Sequence, residues 1–387
     1  MLMPFDLRRY LSLFGRSFRD NPQPKRFLRI LVLAIGFPLV NLFGNLGMAL
    51  DYVFFPAFRR AKIVTPVFII GHARSGTTLM HTLLSRDRER FTAWLTWELT
   101  MPSITQKQLV RWVMALDREY LGGWLERKIT AIEDQAFAEG RRMHPMGLRV
   151  PEEDAFLMIP TFMQCQLGFW FPYPEVVTHL YYMDEHTSDR DRRNRQKLMR
   201  FYRAAIQRQI YLTGGDTVFL SKSPVFTGSI KTLGEAFPDA RFIVMMRNPY
   251  QTIPSLLKLM SRNFRAMGFE KAEVAQQIEL LAEQCLHYYR YPLEALADFP
   301  TDRAIFVSYT DLIESPSRSV AATCAQLGFE VSPPYDEILR EEEKRSKQHR
   351  AEHVYSLEEF GLTREEIRAA LPEAFGRFGW QQPVSTE

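Results

Sequence analysis

The sequence predicts a three-layer α/β domain: a central, mostly parallel sheet of about five strands, with a helical insertion and an apolar helical segment at the N-terminus. Three observations carry this. Short continuous apolar runs recur along the chain, the mark of strands buried on both faces, and helical patterns separate them. Two of these runs lead straight into loops that open a helix and can cradle an anion. Residues 30–50 contain no charged residue at all.

That uncharged stretch, ILVLAIGFPLVNLFGNLGMAL, would just span a bilayer, which takes about 20 helical residues. Gly36, Pro38, Asn41, Gly44, Asn45 and Gly47 interrupt it, and no small-residue cleavage site follows. Basic residues flank it, from Arg8, Arg9, Arg16, Arg19, Lys25, Arg26 and Arg29 to Arg59, Arg60 and Lys62, and their balance favours a cytoplasmic N-terminus. Three arrangements stand open: a span, a helical pair in the membrane interface anchored by Tyr52, Phe54, Phe55 and Phe58, and a hairpin buried on the main domain. Residues 1–60 thus form one segment and 61–387 the main domain.

Composition bounds the rest. At 387 residues, with 46% hydrophobic and 24% charged, the chain is globular and excludes disorder or coiled coil as a whole-chain description. A net charge of +4 gives no argument for nucleic acid. Cys165, Cys285 and Cys324 are widely spaced with no CxxC, which points to a reducing compartment.

The first strand, PVFII, ends at Ile70 and runs into GHARSGTT, from Gly71 to Thr78. Gly71 and Gly76 permit sharp turns, and the freed N–H groups and the following helix N-terminus suit an anion. The spacing is that of a Walker A loop, but Thr77 stands where lysine belongs. Arg74 lies inside the loop and can grip a phosphate or sulfate in bidentate fashion, while Ser75, Thr77 and Thr78 offer hydroxyls. This segment resembles the 5′-phosphosulfate loop of sulfotransferases. That resemblance implies a P-loop-like fold and 3′-phosphoadenosine-5′-phosphosulfate as donor co-substrate.

Residues 91–95 read as the second strand, with Glu98 just beyond it. In tyrosylprotein sulfotransferases a Glu at a similar place is the base, so the resemblance implies that role for Glu98. Residues 100–215 read as mainly helical, an insertion that includes an aromatic-rich stretch (159–174) fit for an acceptor lid or a core layer. His72 and His144 are the histidine alternatives for the base. Glu152 and Glu153 mark either a helix start or, with His144, an acceptor pocket. The basic run Arg190–Lys197 looks like an RNA patch, but the apolar spacing after it fits the solvated start of an amphipathic helix.

Residues 218–220 give the third strand, ending near Lys222. By resemblance Lys222 supports the sulfuryl or bridging oxygen, where a point charge stabilises the leaving phosphate. Residues 241–246 give the fourth, leading into Arg247, with Ser255 eight residues on. The family's 3′-phosphate motif has an Arg and a Ser at this separation. The fifth strand follows Arg303 and leads into a Y-x-D-L element at Tyr309. Beyond it, a basic group (Lys344, Arg345, Lys347, Arg350) offers candidates to close over the donor, and Ser356 with Glu359 and Thr363 with Glu366 read as capping boxes.

No metal-ligand spacing and no GxSxG occurs. The reading is a metal-independent, cytoplasmic sulfotransferase that moves the sulfuryl group to a hydroxyl or amine of a small molecule, lipid or glycan, with no nucleic-acid partner. Its rivals are a P-loop kinase or NTPase, which would want the missing lysine and an acidic Mg²⁺ ligand, and a non-catalytic membrane-associated protein on the same fold. A cytosolic donor turns the N-terminal choice towards a surface-bound or buried hairpin, with membrane association through residues 27–58.

Overall fold

The computed structural model describes residues 1–20, 24–138, 146–346 and 356–380. Five strands form one sheet in the order β2-β3-β1-β4-β5, and all four pairings are parallel. They are β1 (Val67–Gly71), β2 (Phe91–Thr92), β3 (Val218–Lys222), β4 (Arg241–Met246) and β5 (Ala304–Ser308). All five predicted strands are present. β1 is central and fully buried, as its unbroken VFII run requires. The chain turns from β1 to β2 and β3 on one side, then to β4 and β5 on the other. The C-terminal ends beside β1 are therefore a switch point, where open α/β sheets bind ligands.

Helices cover both faces. Before the sheet come α1 (Leu7–Arg19) and α2 (Pro24–Phe54), and α3 (Thr77–Leu84) follows β1. Between β2 and β3, among the described residues, lie α4 (Ile104–Tyr120), α5 (Trp124–Phe137), α6 (Pro174–Leu180), α7 (Asp189–Leu212) and three 3₁₀ segments. α8 (Ile230–Ala236) precedes β4; α9 (Pro249–Ala266) and α10 (Ala275–Ala295) lead to β5. Five shorter or peripheral helices follow: α11 (Tyr309–Glu314), α12 (Pro316–Gln326), α13 (Pro333–Ser346), α14 (Arg364–Ala370) and α15 (Pro372–Phe378). The run from Arg190 to Lys197 is the solvent-facing start of α7, while Leu198, Phe201, Tyr202, Ala205, Ile206 and Ile210 are buried below it. Thr363 and Glu366 form a reciprocal capping box at α14. At Ser356 the hydroxyl instead donates to Glu358 and accepts from the Glu359 N–H.

The N-terminal segment corrects the expected hairpin within residues 30–50. α2 is one unbroken helix of 31 residues, and α1, which precedes it, packs against it. The presumed breakers make contacts instead. Pro38 has no N–H for the Ala34 carbonyl, and the Tyr10 hydroxyl donates to that oxygen at 2.9 Å. Asn41 donates to Pro4 O and Pro160 O, and Asn45 to Met3 O. Gly47 faces α4 so closely that a Cβ would lie 2.4 Å from Ser103 Oγ. At the end of this face Asp51, fully buried, pairs with Arg208 at 2.7 Å and accepts from the N–H groups of Ile104 and Thr105, capping α4. One face of α2 is thus held by the body, and the opposite face is exposed and apolar.

The aromatic stretch divides. Phe162 and Phe171 pack with Phe14 of α1 and belong to the core, while Phe169 turns to a cleft at the sheet's C-terminal edge.

Candidate active site

Backbone geometry shapes the loop after β1. Gly71 has φ +119° and Gly76 φ +94°. A Cβ on Gly71 would lie 2.4 Å from Met245 O of β4, and one on Gly76 would lie 2.5 Å from the Tyr309 ring. Side chains are excluded at both, which brings β4 and Tyr309 against the loop. Ser75 is fully buried and its hydroxyl donates to His72 O at 2.6 Å, so it braces the loop from inside. The Thr227 hydroxyl, accepting from Gly71 N and donating to Gly71 O, ties the loop to the turn after β3. Thr77 and Thr78 begin α3, where the N-terminal dipole end faces the cleft.

The two anion motifs meet. Arg74 Nε donates to Ser255 Oγ at 3.3 Å, and Arg247 Nη1 donates to Arg74 O at 3.1 Å across 173 residues of sequence. Arg247 is steadied by Gln251 at 3.1 Å and lies over the Tyr309 ring at 4.1 Å. Two guanidinium groups from different strand ends therefore share one corner of the cleft.

Lys222 ends β3, next to β1. It is 1% exposed, and its Nζ lies 3.1 Å from Glu152 and 3.2 Å from Glu153. Burial alone would lower its ammonium, but Glu153 and Glu152 outweigh that and hold it above the usual lysine range. Burial likewise raises Glu153, and the Lys222 charge only partly restores it. Behind Lys222, burial pushes Asp154 up to about 7, although Tyr202 and Ser221 hydrogen-bond it.

A cleft of about 630 Å³ opens here, with Lys222 and Ser255 behind its lining. Ala73, Arg74, Gly76, Thr77, Thr78, Arg247 and Tyr309 give it a cationic part. Glu152 and Glu153 also line it, together with apolar residues that include Phe156, Phe169, Leu259, Met260 and Leu281. Gln284 on α10 also lines it, 1% exposed, with no partner for its amide nitrogen.

Glu98, the residue expected to be the base, does not line the cleft. It is 3% exposed; one oxygen accepts from Leu95 N at 3.0 Å and the other lies 3.5 Å from Lys107. Lys107, fully buried, also donates to Gln209 at 2.6 Å. This is a structural ion pair, so Glu98→Gln is expected to destabilise the fold by about 3 kcal/mol at neutral pH and to leave turnover per folded molecule unchanged. Burial already lowers Lys107 to about 8, against the pull of Glu98. Without its partner the lysine titrates lower still, so the unfolded state binds more protons, and the variant regains stability as pH rises towards 10. Denaturant titrations at two pH values, with a turnover assay, check this.

His72 is buried beneath the loop against Tyr289, and burial lowers it to about 4. His144 lies outside the described residues, as do Lys347, Arg350 and the side chain of Arg345. Among the described residues no group of His, Cys, Asp and Glu is placed to hold a metal. Sequence reasoning gave no role to Tyr309, which a position just past a strand's C-terminal end would have marked, nor to Gln284, which sits unmarked in a helical stripe.

A parallel sheet with an arginine-bearing, glycine-bounded loop at its switch point defines a P-loop-like α/β protein. The chain matches the Sulfotransferase family model over residues 66–333 and belongs to that family. It is 28% identical over 335 residues to the omega-hydroxy-beta-dihydromenaquinone-9 sulfotransferase Stf3 of Mycobacterium bovis, covering 82% of this chain and 76% of that one; the Mycobacterium tuberculosis protein matches equally. In structure it is similar to sulfotransferase STF9 of Mycobacterium avium, with TM-score 0.76, 19% identity and 97% and 93% of the two chains covered. It also resembles STF1 of Mycobacterium tuberculosis, with TM-score 0.68, 18% identity and 94% and 91% covered. The protein is a sulfotransferase.

Proposed function

We propose that this enzyme transfers the sulfuryl group of 3′-phosphoadenosine-5′-phosphosulfate to a hydroxyl of a largely apolar, lipid-like small molecule, in the cytoplasm. The observation that carries the reading is the convergence of Arg74, Arg247 and Ser255 at an apolar cleft that is also lined by Glu152 and Glu153, the partners of buried Lys222. The Stf3 relatives are named for a menaquinone-derived acceptor, which supports a lipid class.

The donor supplies an activated sulfur–oxygen bond. In the transfer the acceptor oxygen bonds to sulfur, the bond to the bridging phosphate oxygen breaks, and that oxygen keeps the electron pair. Gly71, Arg74, Ser75, Gly76, Thr77 and Thr78 form the cradle for the 5′ end, and Arg247 with Ser255 receives the 3′-phosphate. Lys222 meets the charge that develops on the bridging oxygen. The acceptor proton passes to the Glu152–Glu153 pair, which lines the cleft where Glu98 does not. Gln284 offers an amide to a polar atom of the acceptor.

Adenosine 3′,5′-bisphosphate is expected to bind without Mg²⁺. Arg247→Ala should weaken that binding by about 1.5–3 kcal/mol, the loss of a charged hydrogen bond. Calorimetric titration checks this: unchanged affinity removes Arg247 from the site, and Mg²⁺-dependent ATP binding in place of the bisphosphate overturns the proposed function.

A further inference from the structure

The sulfuryl-transfer site makes no use of the exposed face of α2. That face is a continuous apolar stripe at spacings of three and four residues through Leu28, Val32, Ile35, Leu39, Leu42 and Leu46, each 55–65% exposed. α4, packed beside α2, adds Leu109 and Trp112, 55% and 60% exposed. Soluble monomers rarely leave so large an apolar surface uncovered, and such patches mark contact sites.

Two observations say what covers it. The first is charge. Residues 1–60 hold nine basic and three acidic residues, a net of +6. The whole chain is only +4, so everything after residue 60 is net −2. Lys25 and Arg29 at the start of α2 and Arg59 and Arg60 just past its end are exposed. The stripe is thus the apolar centre of a basic segment in a chain whose remainder is net acidic. A second copy of this chain would set these positive flanks against each other, whereas an anionic lipid surface pairs with them and repels the remainder.

The second is how α2 is held. By length and composition the helix could cross a membrane. Its opposite face, however, is fixed to the body: Arg26 pairs with Glu273 at 2.9 Å, Asn41 reaches Pro160 O, and Asp51 is locked to Arg208. A crossing would tear these polar groups from their partners and place them in hydrocarbon. The helix can offer lipid one side only, along a length of about 46 Å.

We propose that the outer face of α2, with Trp112 of α4 beside it, docks the enzyme flat on an anionic bilayer surface. The apolar stripe lies at the acyl boundary and the flanking basic residues meet the headgroups. This stands apart from the sulfuryl-transfer reading and would hold for any activity.

The test is sedimentation of the full chain with vesicles of phosphatidylcholine, alone or mixed with phosphatidylglycerol. Pelleting is expected with the mixed vesicles, weakened by salt. Leu42→Glu with Leu46→Glu, both at exposed positions, should reduce it roughly a hundredfold without moving the thermal midpoint or bisphosphate binding. A second measurement uses the burial of all three native cysteines, which makes Leu46→Cys the accessible thiol. An environment-sensitive dye there should shift blue on vesicle addition, and one at Asp302→Cys should not. Vesicle binding untouched by the glutamates overturns the proposal. So does a wild-type dimer that the glutamates dissolve without any vesicle binding. A chain that only detergent extracts overturns it too, and points to a span.

Discussion

Replacing Lys222 by alanine is expected to lower turnover by about a thousandfold, the upper range for losing one preorganised group at a developing oxyanion. Affinity for adenosine 3′,5′-bisphosphate should change far less. The difference follows from when the charge appears: the bridging oxygen becomes fully anionic only as the sulfur leaves, so the ammonium acts on the transition state more than on bound product. Lys222 also neutralises two carboxylates, at 3.1 and 3.2 Å. In the variant Glu152 and Glu153 sit side by side without a cation, and one takes up a proton instead of unfolding the site. The thermal midpoint measured beside turnover separates the two effects. Glu153→Gln completes the argument. A base must be ionised, so the wild-type rate falls as pH drops through the Glu153 pKa, which burial has raised above the ordinary glutamate range. In the glutamine variant the rate is low and that acid limb is gone. Full activity in Lys222→Ala at an unchanged midpoint would remove lysine from the mechanism.

Asp51→Ala is expected to cost about 3–5 kcal/mol of stability, the loss that follows when one member of a buried ion pair is deleted. Asp51 and Arg208 have no exposed side-chain surface. Without the carboxylate, the guanidinium keeps its hydrogen bonds to Ala204 O and Met48 O but loses its counter-charge. The first turn of α4 also loses the acceptor for two N–H groups. Denaturant unfolding measures the loss. The double variant Asp51→Leu with Arg208→Met should recover much of it, because hydrophobic replacement of both partners removes the unpaired charge. A single variant within 1 kcal/mol of wild type would mean that the Asp51–Arg208 pair is not what holds α2 to the body.

β1 and β4 were legible because each is an apolar run buried on both faces, a pattern that survives without knowledge of its neighbours. β2 was read three residues too long. After Thr92 the chain leaves the sheet, and Leu95 pairs instead with Pro151 and is capped by Glu98. The phosphate loop was legible because its glycines, arginine and threonines are contiguous. What escaped was set by distant partners. Glu98 looked like a base at a strand end until Lys107 and Gln209 enclosed it. The glycines, proline and asparagines of α2 looked like breakers until Ser103, Tyr10 and Pro160 were seen to need small or hydrogen-bonding neighbours. Nothing near Gln284 in sequence tells that its amide faces a cleft.

The Asp51–Arg208 pair also has a consequence in time. The two residues are 157 apart in the chain. At synthesis rates of about 5–20 residues per second, Asp51 is made roughly 8–30 s before its partner. Before that interval ends Tyr10, Ser103 and Pro160 are already made and can meet α2, but the counter-charge of Asp51 is not. The locking of this end of the helix onto the body is therefore a late event, fixed by the arrival of α7.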